Sequence, residues 1–478
     1  MASLPAVSDK MKESYTIKSI AGNGERAVCG SEPSPADTSS FFFPSGVQVL
    51  ADGRFLVVCM NGNCLVTVSA DMSTIQRVAG TGESGSTDGV ALQATFEKPM
   101  GLCVLRDGRA LVSCFGAGTV RVLSADMQRV STVECYEEDV TQGTGAAAAV
   151  AAAAAAALAV DGEDDEEEEE ASSEDERREA LPVHFACPCG ILETPDGRVL
   201  VSEMQGGRVR VLSADLTRVR TLAGLPGAPP RDGPALEAGF LAPSAIALLP
   251  DGERVLVCDF AGNRVRMIST TRGGGEVTTV AGDGEGAFRD GAAKTEAQLF
   301  HPAGLCVLWD GRVLIADSNN HRLRLLSADL ATMTTVAGDG ERTTIDGAGA
   351  GEEGGAVEAK ITLPLGMSAK QLDDGSIIFS EGHNSHRVRR ITGFAPAKAA
   401  AAVAAVAAAA AGDAVEGAQG AAGAGGATAA AAAGDAAERA PTLGKRRRAE
   451  CSPRDDFTHH ADWARLRSAP GSASTEGD

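Results

Sequence analysis

Between Tyr15 and Gly393 apolar and polar positions alternate in short runs, interrupted at near-regular intervals by turn residues. A period of two over runs of four to six residues is the pattern of half-buried β-strands. Phe300 to Gly338 shows the unit most clearly. Gly304 to Leu308 is apolar and ends at Asp310-Gly311, a tight-hairpin dipeptide. Val313 to Ala316 returns to Asp317 and the loop Ser318-Asn319-Asn320-His321. Arg322 to Leu326 alternates charge with aliphatics and stops at Ser327-Ala328-Asp329, and Met333 to Ala337 closes at Gly338. Four short antiparallel strands in about forty residues predict one blade of a β-propeller.

The unit recurs in phase. Its opening proline falls at Pro44, Pro99, Pro188, Pro243, Pro302 and Pro364, and its hairpin at Asp52-Gly53, Asp107-Gly108, Asp196-Gly197, Asp251-Gly252, Asp310-Gly311 and Asp374-Gly375. Six units predict six blades. The sixth runs out of strands after Arg387 to Ile391, whereas Tyr15 to Gly24 carries the fourth-strand ending seen before Glu285 and Glu341. The N-terminal segment is therefore expected to complete the last blade and remove its open edge. The predicted fold is all-β, a six-bladed propeller over residues 15–393, with residues 1–14 and 394–478 outside it.

This pattern resembles the NHL-repeat family, whose signature stands here as Asn320-His321-Arg322-Leu323. The resemblance covers roughly Tyr15 to Gly393, with blades one and two degenerate. It is unlike WD-type propellers, because Trp309-Asp310 recurs in no other blade, and unlike kelch propellers, because no Gly-Gly pair recurs in register. The RING, B-box and coiled-coil segments of many animal relatives are missing from this sequence, so ubiquitin-ligase activity is not implied.

In blade five Asp317 stands five residues before Arg322; Glu203 and Arg208, and Asp259 and Arg264, repeat the arrangement in blades three and four, and Glu381 and Arg387 do so in blade six with one more loop residue. Blade one has Cys59 and Cys64 instead, and blade two Cys114 and Thr119. Joint presence or absence is what a cross-strand pair requires, since a lone buried charge is costly, so these four pairs are expected to be structural.

Charge then narrows the function classes. The net charge of −22 disfavours nucleic-acid binding. Five blade-to-blade loops (23–40, 80–95, 224–239, 283–299, 339–360) hold 17 acids against 6 bases, a balance of −11 on one face. The sixth such connection carries an insertion at 136–182, an alanine tract followed by 13 acids between Asp161 and Glu179, a composition expected to stay disordered. The alanine- and glycine-rich tail after residue 394 is expected to be disordered as well. It carries the basic cluster Lys445, Arg446, Arg447 and Arg448, which leaves nuclear import open beside a cytoplasmic location, and the aromatic segment Asp456 to Arg467. Met1 to Tyr15 has no apolar core, so no secretory signal is read, and no long apolar run predicts a membrane span. The 11 cysteines, mostly inside strands, read as buried free thiols of a reducing compartment.

Motifs for catalysis are absent: no P-loop, no Gly-x-Ser-x-Gly, no His-Glu-x-x-His. Cys187-Pro188-Cys189 lacks the spacing of a zinc knuckle. Asn319, Asn320, His321, His383, Asn384 and His386, on the same loop face, are the candidate binding residues. The expected function is a monomeric protein-interaction scaffold whose acidic face meets a basic protein partner, with no cofactor and no membrane. Two alternatives stand beside it, both drawn from relatives of the fold: a divalent-metal propeller enzyme of gluconolactonase-like hydrolase or lyase type, for which acidic loops would suit Ca2+, and RNA binding, which the charge disfavours.

Overall fold

A computed structural model describes residues 15–138, 182–269, 275–346, 359–367, 371–382 and 385–396. They all fall in a compact unit, Met1–Ala405, and Val406–Asp478 lies outside the described residues. The described residues form six antiparallel sheets around a common axis. The innermost strands are Pro44–Val49, Pro99–Val104, Pro188–Glu193, Pro243–Leu248, Pro302–Val307 and Pro364–Met367, each opening on the repeating proline. Six hydrophobic clusters fill the six seams between neighbouring sheets, so each blade is buried on both faces. That explains why the second strand of blades one, two, three, five and six is buried along its whole length instead of at alternate residues.

The ring closes as the sequence predicts. Thr16–Ala21 pairs antiparallel with Arg387–Thr392, with Thr16 opposite Thr392 and Ile17 opposite Ile391. Ile17 is fully buried, and Tyr15 packs on Phe394 with ring centroids 4.7 Å apart.

Two features go beyond the predicted four-stranded unit. Five of the sheets carry a fifth, two-residue outer strand: Ser34–Pro35, Gly89–Val90, Tyr136–Glu137, Gly233–Pro234 and Gly291–Ala292. Each comes from the loop entering the blade and covers an edge that would otherwise offer unpaired backbone groups. Tyr136–Glu137 belongs to the stretch read as insertion; it runs parallel to Arg218–Ala223 and is part of blade three.

The second feature is a ring of serine hydroxyls near the axis, one bond at each seam. Ser45 Oγ donates to Met100 O at 3.0 Å, Ser113 Oγ to Cys189 O at 2.5 Å and Ser202 Oγ to Ser244 O at 2.5 Å. Ser244 Oγ reaches Pro302 O at 3.4 Å, Ser318 Oγ donates to Pro364 O, and Ser380 Oγ donates to Ser45 O at 2.6 Å. All six serines are buried. The inner strands approach so closely here that a Cβ on Gly101 would stand 1.9 Å from Cys189 O, which accounts for the small residue two places after each opening proline.

Candidate functional site on the loop face

The acid–arginine pairs are in the predicted register: Glu203 opposite Arg208, Asp259 opposite Arg264, Asp317 opposite Arg322 and Glu381 opposite Arg387. Their electrostatics run through a second arginine, two residues further on, that the pattern did not single out. Arg210, Arg266, Arg324 and Arg389 are fully buried, as is Arg121 in blade two. Arg324 Nη1 lies 2.6 Å from Asp317 Oδ2, and Arg389 Nη1 lies 2.7 Å from Glu381 Oε1. The corresponding separations are 3.5 Å for Arg210 and Glu203 and 3.8 Å for Arg266 and Asp259. Burial pushes the carboxyls of Asp259, Asp317 and Glu381 up, and the facing guanidinium groups pull them back.

Each buried arginine also binds an acid of the entering loop: Arg121 with Asp88 at 2.5 Å, Arg210 with Glu137 at 2.5 Å, Arg266 with Asp232 at 2.9 Å, Arg324 with Asp290 at 2.7 Å and Arg389 with Asp346 at 3.0 Å. Those loop aspartates cap the outermost long strand too, as when Thr335 N and Oγ1 both donate to Asp290. Four of the 17 loop acids, Asp88, Asp232, Asp290 and Asp346, are thus committed to the fold, and the face is less acidic than the sequence count implies. Blade one lacks the whole set, with Cys59, Val66 and Pro33 at the corresponding positions.

The register-opposed arginines serve the loop crests instead, except Arg208, which donates to Glu203 directly. Arg264 donates to Asp283 O at 2.8 Å, Arg322 to Asp339 O at 2.6 Å and Arg387 to Asn23 O at 3.2 Å. Each guanidinium lies flat against the next glycine of a Gly-x-Gly turn: a Cβ on Gly284 would stand 2.2 Å from Arg264 Nη2. The residue after that turn is a glutamate, Glu25, Glu285 or Glu341, and blade one places Glu83 likewise. Each glutamate's amide donates to the side chain two residues earlier, at 2.8 Å to Asn23, 3.1 Å to Thr81, 2.9 Å to Asp283 and 2.8 Å to Asp339. The four crest glutamates are exposed and occupy four consecutive seams, from blades four–five round to blades one–two.

The candidate binding residues Asn320, His321 and His386 are turned to internal partners. Asn320 Nδ2 donates to Asp317 Oδ2 at 2.8 Å and to Ala287 O at 2.9 Å. His321 Nδ1 accepts from Leu363 N across the seam, and His386 Nδ1 accepts from Phe43 N, both at 3.2 Å. Asn63 and Asn263 staple their seams in the same manner, to Lys98 N and His301 N, both at 3.0 Å. Asn319 Nδ2 lies 2.7 Å from His301 Nδ1, while His383 and Asn384 lie outside the described residues. The staple residue needs a left-handed backbone and a side-chain acceptor, which Asn and His supply.

The His321 staple carries a pH prediction. Burial, with Arg342 and Arg322 beside it and only Asp339 opposing, holds its pKa down at about 4. The unfolded chain then binds this proton more readily than the native one, so stability is full above about pH 6.5 and declines as pH falls towards 4. Melting temperatures measured from pH 7 to 4 should fall less steeply in His321→Asn, which keeps an acceptor that does not titrate. Parallel curves for the two proteins would refute the assignment.

Among the described residues no group of three or more His, Cys, Asp or Glu side chains is arranged to hold a metal, and no helix is long and apolar enough to cross a membrane. A cavity of about 720 Å3 follows the axis, walled by the six inner strands.

The NHL repeat profile matches residues 301–324, the stretch that contains the His301 seam, the Asp317–Arg324 pair and the His321 staple. NHL repeat-containing protein 2 of Gallus gallus is 23% identical over 364 residues, 73% of this chain and 46% of that protein. The chloroplastic protein SUPPRESSOR OF QUENCHING 1 of Arabidopsis thaliana is 30% identical over 153 residues, 30% of this chain and 14% of that protein. The matched regions thus span about half or less of these curated relatives. Among solved structures, a protein of unknown function from Bacteroides thetaiotaomicron superposes with a TM-score of 0.53 at 15% identity, covering 79% of this chain and 76% of that one. An auxiliary nutrient binding protein from the same species gives 0.53 at 11% identity, with coverage of 80% and 77%; likeness at this level is one of fold. The repeat match, the relative that spans most of the propeller and the six-sheet ring agree: the chain carries an NHL repeat at residues 301–324 and is a six-bladed β-propeller similar to NHL repeat-containing protein 2.

Proposed function

We infer that the propeller is a protein-interaction scaffold whose loop face receives a basic segment of a partner. The observation that carries this reading is the arc formed by Glu25, Glu83, Glu285 and Glu341. Each is fixed by the same turn and exposed at the crest, and three of the turns are braced by a guanidinium from below. Backbones held this firmly present carboxylates with little ordering cost on binding. Unlike Asp88, Asp232, Asp290 and Asp346, these acids pair with no buried arginine among the described residues, where Glu341 alone of the four meets a cation, Lys360. Charges of this kind act mainly on encounter rate and partner choice, and their effect is screened by salt.

The test is a four-site variant, Glu25→Lys, Glu83→Lys, Glu285→Lys and Glu341→Lys, assayed by fluorescence anisotropy against a labelled arginine- and lysine-rich peptide. Affinity should drop by at least about tenfold, with weakened salt dependence and an unchanged melt, since rim charges contribute little to folding. Equal binding by the variant and the original chain would overturn the reading.

A further inference from the structure

At the positions of the acid–arginine pair, blade one carries two cysteines. Cys59 and Cys64 stand directly opposite each other on the neighbouring strands Phe55–Cys59 and Cys64–Val68. Among the described residues no other register sets one cysteine opposite another. Residues opposed in this way lie about 4.5–5.5 Å apart at Cα and share one face of the sheet. That separation falls inside the roughly 4.4–6.8 Å that a disulfide spans. The side chains converge as well. A Cβ on Gly62, in the loop joining the two strands, would stand 3.1 Å from Cys59 Cβ and 3.5 Å from Cys64 Sγ. Both thiols are buried in the seam between blades six and one, in the cluster that holds Ala21 and Val388.

We propose that Cys59 and Cys64 are a site of oxidative modification, which hydrogen peroxide converts into a cross-strand disulfide. One sulfur, as thiolate, attacks a peroxide oxygen; the O–O bond breaks, an S–O bond forms, and the departing hydroxide takes up the thiol's proton as water. The second sulfur then attacks the sulfenic acid; the S–S bond forms, the S–O bond breaks, and the hydroxyl leaves with the second proton as water. Two thiols and one peroxide thus give one disulfide and two waters, with the peroxide reduced by the two electrons that the sulfurs lose. Only the thiolate reacts, and burial disfavours it, so the first step proceeds when loop 60–63 opens at the loop face. The same loop ties blade one to its neighbours. Met60 N and Gly62 N donate to Phe43 O and Phe42 O at 2.9 and 3.1 Å, Phe43 N donates to His386 of blade six, and Asn63 accepts from Lys98 N of blade two. The disulfide closes residues 59–64 into a covalent ring and holds this loop, where blades three to six use charge.

In the experiment the full chain is reduced, freed of reductant, exposed to hydrogen peroxide and alkylated, then digested with trypsin and mapped by mass spectrometry. Melts are recorded before and after oxidation. The tryptic peptide 55–77 carries both cysteines. It should lose the mass of two hydrogens and resist alkylation until it is reduced again, and the oxidised chain should melt at a higher temperature. Cys59→Ser and Cys64→Ser should each abolish the linkage and the rise. Cys29→Ser, at the third thiol of the same cluster, should leave both intact. Should a serine variant fail to fold, the peptide map of the parent decides alone, because it identifies both sulfurs. Full alkylation of both thiols after peroxide, or a linkage from either one to Cys29, would overturn the site. An oxidised chain that melts no higher than the reduced one would overturn the brace. None of these results depends on the crest glutamates.

Discussion

Replacing Arg324 by alanine is expected to destabilise the propeller by about 3–5 kcal/mol, the range for breaking one partner out of a buried ion pair. Asp317 and Arg324 are both fully buried and 2.6 Å apart, and the carboxylate cannot rehydrate when the guanidinium is removed. Burial already pushes the Asp317 carboxyl up, and the arginine is the leading influence holding it down. Loss of Arg324 therefore leaves a carboxyl that must take up a proton or unfold the blade. It also strips Asp290 of its cationic partner and two loop carbonyls, Gln298 O and Arg289 O, of a side-chain donor. A double variant, Asp317→Cys with Arg324→Val, copies what blade one does with Cys59 and Val66 and should lose less than the two single changes summed. Chemical denaturation of the three variants decides the matter. Additive losses would mean that the pair is not a pair.

Deletion of residues 1–21 is expected to have a comparable or larger effect, although most of what it removes lies outside the described residues. It takes away Thr16–Ala21, the outer strand of blade six, and with it the buried Ile17 and Tyr15. The lost apolar burial alone is worth roughly 3–6 kcal/mol at about 1.5–3 kcal/mol per large side chain. The Arg387–Thr392 strand would then present a bare row of backbone donors and acceptors, which invites pairing with another chain. Deletion of residues 397–478 serves as the comparison, since none of these residues contributes to a described strand. Thermal melts and light scattering of the two truncations should differ sharply. Equal melting temperatures without added scattering would show that the ring holds without its N-terminal strand.

The blades were legible in the sequence because their signals are local and repeated. An Asp-Gly hairpin has few alternatives, a proline opens each inner strand, and the orphan strand at Tyr15–Ala21 has the same ending as its counterparts. The fifth strands were not legible: two residues such as Gly89–Val90 contain no period, and only the neighbouring edge makes them strands. Arginine in a strand is ordinarily read as pointing to water, so the deep positions of Arg121, Arg210, Arg266, Arg324 and Arg389 went unseen. A usable signal was present. The loop aspartates Asp88, Asp232, Asp290 and Asp346 accompany Arg121, Arg266, Arg324 and Arg389, and blade one lacks both kinds of residue. The acids opposite Arg208, Arg264, Arg322 and Arg387 share one hairpin with them, whereas the loop acids that bind Arg121, Arg266, Arg324 and Arg389 lie 33, 34, 34 and 43 residues away. The staples escaped for a different reason: the acceptor on His321 meets a backbone amide in the next blade, and only the tertiary arrangement brings them together.

The serine ring also constrains how the molecule can come apart. In an open stack of repeats each unit touches two neighbours except at the ends, where a terminal unit frays by losing one interface. Here no blade is terminal. Releasing any one of them breaks two hydroxyl links and two hydrophobic seams together, whichever blade is chosen. The weakest seam therefore cannot act as an independent hinge, and disassembly gains nothing by starting in the degenerate blades one and two. The architecture trades the graded, end-first melting of a linear array for a single cooperative threshold.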